Sequence, residues 1–298
     1  MGIACLSHRI RKVILLLLLG VGCCPSVPAR PIHRPAKGFL LISGAAGLSR
    51  DDFGQGVLDR FVSLAGGPDA NFVYIPTASS GIKLDNGFIY YPPDSDTAAD
   101  NRAPFEVELA RMFGVKRITV LHTRERATAN RSRFVEPLRK ANAVWISGGN
   151  AGRLADAYLG TLTEKEIKAV ADRGGVIGGN SAGAIIQGSF IVRGRPDKPV
   201  LMAAGHDRGF AFLKNVVINP HLIAAKREDE LVNVVDAHPE LLGIGIDERT
   251  AILVQGDQFE VIGDSKVAIY DNQKHDNRWY YWLAPKTKFD LRTRSVVK

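Results

Sequence analysis

The stretch Gly174–Gly188, GGVIGGNSAGAIIQG, places a lone serine, Ser181, between glycines directly after a short apolar run. Five or six buried residues ending in small ones read as a strand that meets a helix at a sharp turn, the helix starting in AGAIIQG. Upstream the same texture recurs. FLLIS (39–43), FVYIP (72–76), RITVL (117–121), AVWIS (143–147) and GVIGG (175–179) are short apolar runs. Helical spacing lies between them near 53–64, 104–113, 132–140 and 164–172. Strands buried along their length and alternating with helices predict an α/β protein with a mainly parallel sheet covered on both faces. In such a sheet ligands bind beyond the carboxyl ends of the strands, where the loops starting PTASS, HTRER, SGGN and GNSAG emerge.

After Leu213 the pattern changes. VVINPHL reads as a further strand leaving at His221, and REDELVNVVDA has helical spacing. LLGIGID, AILVQ, QFEVIG and KVAIYD are short runs broken by turn residues, which predicts antiparallel strands extending the sheet. The polar segment 78–103, carrying Phe88, Tyr90 and Tyr91, reads as a long unstructured connection, either a binding loop or a loose insertion.

The N-terminus reads as a secretory signal peptide over residues 1–29. Arg9, Arg11 and Lys12 precede VILLLLLGV, and small residues and prolines follow. The expected mature chain is a Pro-rich start, 30–37, and one catalytic domain, 38–298, located outside the cell or in the periplasm. Cys23 follows Gly22, so lipidation there stays open as a membrane tether, although Gly20 is a poor fit to such a signal. All three cysteines, Cys5, Cys23 and Cys24, lie in the leader. The mature chain therefore has no disulfide and no thiolate nucleophile, and covalent catalysis falls to Ser, Thr, Lys or a carboxylate. The net charge of +8 falls to +5 without Arg9, Arg11 and Lys12. Apart from the C-terminal tail, the remaining cations are spread out, which argues against nucleic acid as a partner.

Gly179–Gly183 satisfies G-x-S-x-G, in which a tight turn projects the serine Oγ and the following helix aims N–H groups at a developing oxyanion. The Ala182 amide is one expected donor. The second glycine turn, SGGN at 147–150, can supply another through Gly148 or Gly149, or is simply a turn capped by Asn150. Of the histidines, His221 and His122 end apolar strands on the active edge, and His221 is the better base because Pro220 stiffens its turn. GIGIDERTAILV places Asp247 and Glu248 at another strand end, while Asp197 and Asp207 remain alternative acids. The order Ser, His, acid departs from the α/β-hydrolase order, in which the acid precedes the histidine. No metal-ligand grouping or cofactor motif is present in the sequence.

YIPTASS, GVKRITVLHTRERA, VWISGGN, GGNSAGA, INPHL and GIGIDERTA, in this order, resemble the cyanophycinase and dipeptidase E family of serine peptidases. The resemblance spans roughly 38–271. It implies a class I glutamine-amidotransferase-like, flavodoxin-like three-layer sandwich and no cofactor. It further implies Ser181 as nucleophile, His221 as base, Glu248 as orienting acid, and Gly149 and Ala182 as oxyanion amides. The implied substrate is a peptide with an aspartyl or β-aspartyl bond, cyanophycin among them, and homodimerisation is left open. Around the histidine, cyanophycinases have D-Q-H-F and several substrate-holding arginines. Here Asn219 and Pro220 stand before His221, Ala225 and Glu230 replace two arginines, and Arg227 alone is retained. Asn150-Ala151 stands where cyanophycinases have Asp-Gln. Asn150 and Arg227 are thus the substrate-binding candidates. An esterase of another class and a catalytically silent binding homologue are the competing readings.

Overall fold

The computed structural model describes residues 38–95, 100–195 and 201–298. The expected leader with Cys23, the Pro-rich start and Asp197 lie outside the described residues. The strands in the first half are β1 (Phe39–Ser43), β2 (Phe72–Ile75), β3 (Ile82–Lys83), β4 (Ile89–Tyr90), β5 (Ile118–Val120), β6 (Ala143–Ile146), β7 (Val176–Asn180) and β8 (Gly188–Phe190). Those in the second half are β9 (Leu213–Pro220), β10 (Leu242–Ile246), β11 (Thr250–Gln255), β12 (Gln258–Gly263), β13 (Val267–Tyr270), β14 (Tyr281–Leu283), β15 (Lys288–Asp290) and β16 (Ser295–Val296).

The larger sheet runs β16-β15-β12-β11-β1-β7-β6-β2-β5. Its half from β5 to β1 is parallel. From β11 outward it continues antiparallel. This is the flavodoxin-like α/β architecture expected, with its antiparallel extension. The five parallel strands are the five apolar runs of the first half, each placed to within a residue or two.

The period of two sorts the strand residues onto opposite faces. Leu41, Tyr74 and Trp145 point to one face, where Val57, Leu58 and Phe61 of helix Val57–Leu64 and Phe105, Leu109 and Phe113 of helix Arg102–Phe113 cover them. Trp145 is fully buried, with Phe53 and Phe61 meeting it edge-on at centroid distances of 5.1 and 4.9 Å. Burial of a side chain that large stabilises by roughly 3 kcal/mol. Leu40, Ile42, Ile75, Ile146 and Ile177 point the other way, against helices Ala151–Tyr158 and Leu162–Asp172 and a second sheet.

That second sheet corrects the expectation of one continuous extension. VVINP and LGIGI do not join the main sheet. They form β9 and β10 of a separate sheet, ordered β14-β13-β10-β9-β8, and they pair with each other in parallel. Parallel pairing needs a crossover, and helix Glu230–Ala237 provides it. Val216–Ile218, Leu242, Ile244 and Ile246 are almost wholly buried, so periodicity carried no sign of which sheet would take them.

Segment 78–103 is not a loose insertion in its described part. β3 and β4 form a short antiparallel pair. Tyr90 stacks on Phe105 at 4.3 Å, and its hydroxyl donates to Asp100. His122, the alternative base, is 5% exposed and fastens this segment instead. Its Nδ1 lies 2.9 Å from Thr77 Oγ1 and its Nε2 2.8 Å from the Pro93 carbonyl.

Candidate active site

β2 leads in sequence to β5 on one side, whereas its other neighbour is β6, so the strand order reverses between β2 and β6. A crevice opens at such a switch point. Here it is a cavity of about 500 Å³, lined by residues following β2 (Ser79–Lys83) and β6 (Ser147–Asn150).

Ser181 follows β7 at the next strand end. Its φ of +52° and ψ of −114° are a conformation that costs a residue with a side chain on the order of 1–3 kcal/mol and persists only when neighbours enforce it. They do so from both sides. Asn180, before it, is locked: it accepts from Trp145 Nε1 at 3.2 Å and donates to the Ala45 and Gly47 carbonyls. After it, helix Ala182–Ile185 passes so close to β6 that a Cβ on Gly183 would lie 2.0 Å from the Ile146 carbonyl oxygen. The turn after β6 also packs directly on the serine, since a Cβ on Gly148 would come within 3.1 Å of Ser181 Cβ.

His221 follows β9 and also has positive φ, +60°. Its Nε2 lies 2.9 Å from Ser181 Oγ, so with the ring proton on Nδ1 the serine hydroxyl donates to it. On the far side of the ring, Nδ1 is 3.4 Å from Glu248 Oε1, longer than an ordinary N–H···O hydrogen bond. Burial, reinforced by the Arg227 cation, pushes the His221 pKa down to about 4, against the opposing pull of the Gly44 carbonyl and Asp247. Burial, and then the charge of Asp247, raise the Glu248 carboxyl above its ordinary value.

The two acids of the DER turn have separate surroundings. Asp247 Oδ1 accepts the Ile223 and Ala224 amides at 2.9 and 3.2 Å, and its Oδ2 accepts Ser265 Oγ at 2.7 Å. It therefore holds the chain that follows His221, while Glu248 faces the imidazole. Nothing in the sequence distinguished these adjacent carboxylates apart from the family resemblance.

Gly149 has φ +133° and lies against segment 78–103, where a Cβ would meet the Ala78 carbonyl oxygen at 2.2 Å. Ala182 opens the helix after Ser181. Asn150 lines the cavity, but its side chain caps helix Ala151–Tyr158 by accepting from Gly152 N at 2.8 Å and donates to the Arg195 carbonyl. Arg227 Nη1 donates to the Pro220 carbonyl at 3.3 Å, beside the histidine. Two of the departures from the cyanophycinase pattern meet here. Asn219 Nδ2 donates to Glu230 Oε2 at 3.0 Å, and Glu230 also pairs with Arg193, a residue the sequence did not single out.

Residues 39–262 match the profile of Peptidase family S51. The chain belongs to that family. It is 30% identical over 224 residues to a cyanophycinase from Geminocystis herdmanii, covering 74% of this chain and 76% of the relative. To a cyanophycinase from Synechococcus elongatus it is 28% identical over 244 residues, covering 80% and 70%. The fold is similar to that of a peptidase from an acI-B1 Actinobacterium, with a TM-score of 0.62, 22% identity, and coverage of 87% of this chain and 98% of that one. This S51 chain is accordingly a serine-type peptidase of cyanophycinase-like kind, and its substrates are peptides.

Proposed function

We propose that this S51 peptidase is exported and hydrolyses aspartyl or β-aspartyl peptide bonds through a Ser181–His221–Glu248 triad. The observation that carries this reading is the 2.9 Å separation of Ser181 Oγ and His221 Nε2, with Ser181 directly following Asn180, a residue that lines the switch-point crevice. A neutral imidazole is the form able to accept a proton, and the depressed pKa of His221 keeps it neutral near pH 7. In the first step the Ser181 Oγ–H proton passes to Nε2 as Oγ bonds to the carbonyl carbon. The oxygen gains its charge beneath the amides of Gly149 and Ala182. The C–N bond then breaks, with His221 returning the proton to the leaving amine. Water, deprotonated by the same Nε2, attacks the acyl-enzyme, and the acid product leaves as Ser181 recovers its proton. Glu248 orients the ring and offsets the charge it carries during each transfer.

The reading is tested by incubating the leader-free protein with cyanophycin and a set of α- and β-aspartyl dipeptides and identifying products by mass. Cleavage confined to bonds of aspartate supports it. Turnover of simple p-nitrophenyl esters without aspartyl peptide cleavage would favour an esterase instead.

A further inference from the structure

His221 has positive φ, so its ring stays on Ser181 only while the chain on both sides of it is held. After it, Asp247 takes the Ile223 and Ala224 amides. Before it stand Pro220, whose ring fixes φ, and Asn219, which is wholly buried. Asn219 Nδ2 donates to Glu230 Oε2 at 3.0 Å, and its Oδ1 is buried with no hydrogen-bond partner among the described residues. Glu230 is thus the side-chain anchor of the strand end that carries the base.

Glu230 opens helix Glu230–Ala237, and its other oxygen, Oε1, pairs with Arg193. Arg193 has φ +57°, and its amide donates to the Leu201 carbonyl at 3.0 Å. Two residues on, the Arg195 carbonyl accepts from Asn150 Nδ2, beside Gly149. Between them the Gly194 carbonyl lies so close to helix Ala151–Tyr158 that a Cβ on Gly152 would be 1.6 Å from its oxygen. Residues 193–195 therefore join the turn of Gly149 to the turn of His221. Asn150, Asn219 and Glu230 are three of the departures from the cyanophycinase pattern, and this one tripeptide connects them. Glu230 also lets two cations share the space: burial, then the charge of Arg193, holds the Arg227 guanidinium below its ordinary pKa, against the pull of Glu230 and Glu248.

We propose that Arg193 and Glu230 are positioning residues for the base: Glu230 fixes Asn219 ahead of His221, Arg193 fixes Glu230, and the chain through Arg195 ties both to the turn at Asn150. The inference rests on the Ser181–His221 reading above and adds to it what holds the histidine in place. Both residues act through Asn219 rather than on the reacting atoms. Without Glu230 a buried amide is left with neither end bonded, and the strand end must shift to relieve it. A displacement of about an ångström at Nε2 is enough to slow proton transfer from Ser181 Oγ sharply, while ligand binding elsewhere in the site is left intact.

The test is the saturation kinetics of Ser181 labelling by a fluorophosphonate, which gives a maximal rate and a half-saturating concentration. Thermal unfolding of each variant corrects both to the folded fraction. Glu230→Ala is expected to lower the maximal rate by about tenfold or more, with the half-saturating concentration within about twofold of the unaltered protein. Glu230→Gln keeps an acceptor for Asn219 Nδ2 and should restore most of the rate. Arg193→Ala should lower the rate by about threefold, and by little once Glu230→Ala is already present, because the two act as one unit. Arg193 is partly open to solvent, so its variant carries the same test should Glu230→Ala fold poorly. An unchanged maximal rate in Glu230→Ala and Arg193→Ala, equal losses in Glu230→Ala and Glu230→Gln, additive losses in the double variant, or an effect confined to the half-saturating concentration would overturn the positioning role alone. An unaltered protein that takes no label at Ser181 would instead remove the triad reading, and this role with it.

Discussion

Ser181 Oγ and His221 Nε2 stand 2.9 Å apart although their supporting strands belong to different sheets, β7 to the nine-stranded sheet and β9 to the five-stranded one. Glu248 lies in the short connection where the chain leaves β10 of the second sheet and enters β11 of the first. The site therefore forms only when the two sheets are packed together, and its geometry is as stable as that packing. Both Ser181 and His221 have positive φ, so each side chain is aimed by strain that the surrounding turns enforce.

Asp247 is expected to act as a positioning residue for His221. Truncation in Asp247→Ala leaves the Ile223 and Ala224 amides without their acceptor, which should cost about 2 kcal/mol or more of stability. Asp247→Asn keeps an acceptor for those amides and should retain most of that stability. Denaturant unfolding of both variants, with kcat and KM measured alongside, checks this. A role in positioning predicts that Asp247→Ala lowers kcat more than it raises KM.

The pH profile follows from the environment of His221. Burial, and secondarily Arg227, depress its pKa to about 4. Only the unprotonated ring accepts the serine proton, so kcat/KM should be level at neutral pH and fall as pH drops through about 4. Replacing Arg227 by Gln removes a cation that disfavours His221 protonation. The acid limb should then move to higher pH, whatever happens to the plateau height. A limb that stays fixed in Arg227→Gln would contradict this electrostatic account.

Close approach at the turn gives a steric prediction. Gly183→Ala places a methyl group 2.0 Å from the Ile146 carbonyl oxygen, and backbone must move to relieve it. The expected result is a loss of roughly 1–3 kcal/mol in stability. Activity should fall further than the unfolded fraction accounts for, because the displaced helix carries the Ala182 amide. Thermal unfolding and a specific-activity assay on the folded fraction separate the two effects.

The parallel half of the main sheet was legible because each strand is a short run buried on both faces and bounded by turn residues. His221 was legible for a related reason: an apolar run ending in Pro-His points to a strand end on the active edge. The same continuous burial hid the second sheet, since Val216–Ile218 and Ile244 would read alike in either one. The role of Asn180 was also hidden, because its partners Trp145, Ala45 and Gly47 come from two other strand ends. Lys83 and Arg153 became visible as a pair only when β3, within a segment that read as unstructured, was found beside the turn after β6. Local pattern located Ser181 and His221 at strand ends; the charge of the crevice depended on contacts across the fold.

The most direct test of the central claim is covalent labelling of the protein with a fluorophosphonate, followed by peptide mapping by mass spectrometry. The account predicts a single adduct on Ser181 that forms rapidly in the unaltered enzyme. In His221→Ala, labelling should slow by on the order of a thousandfold or more. An adduct on another residue, or labelling of Ser181 at an unchanged rate without His221, would contradict it.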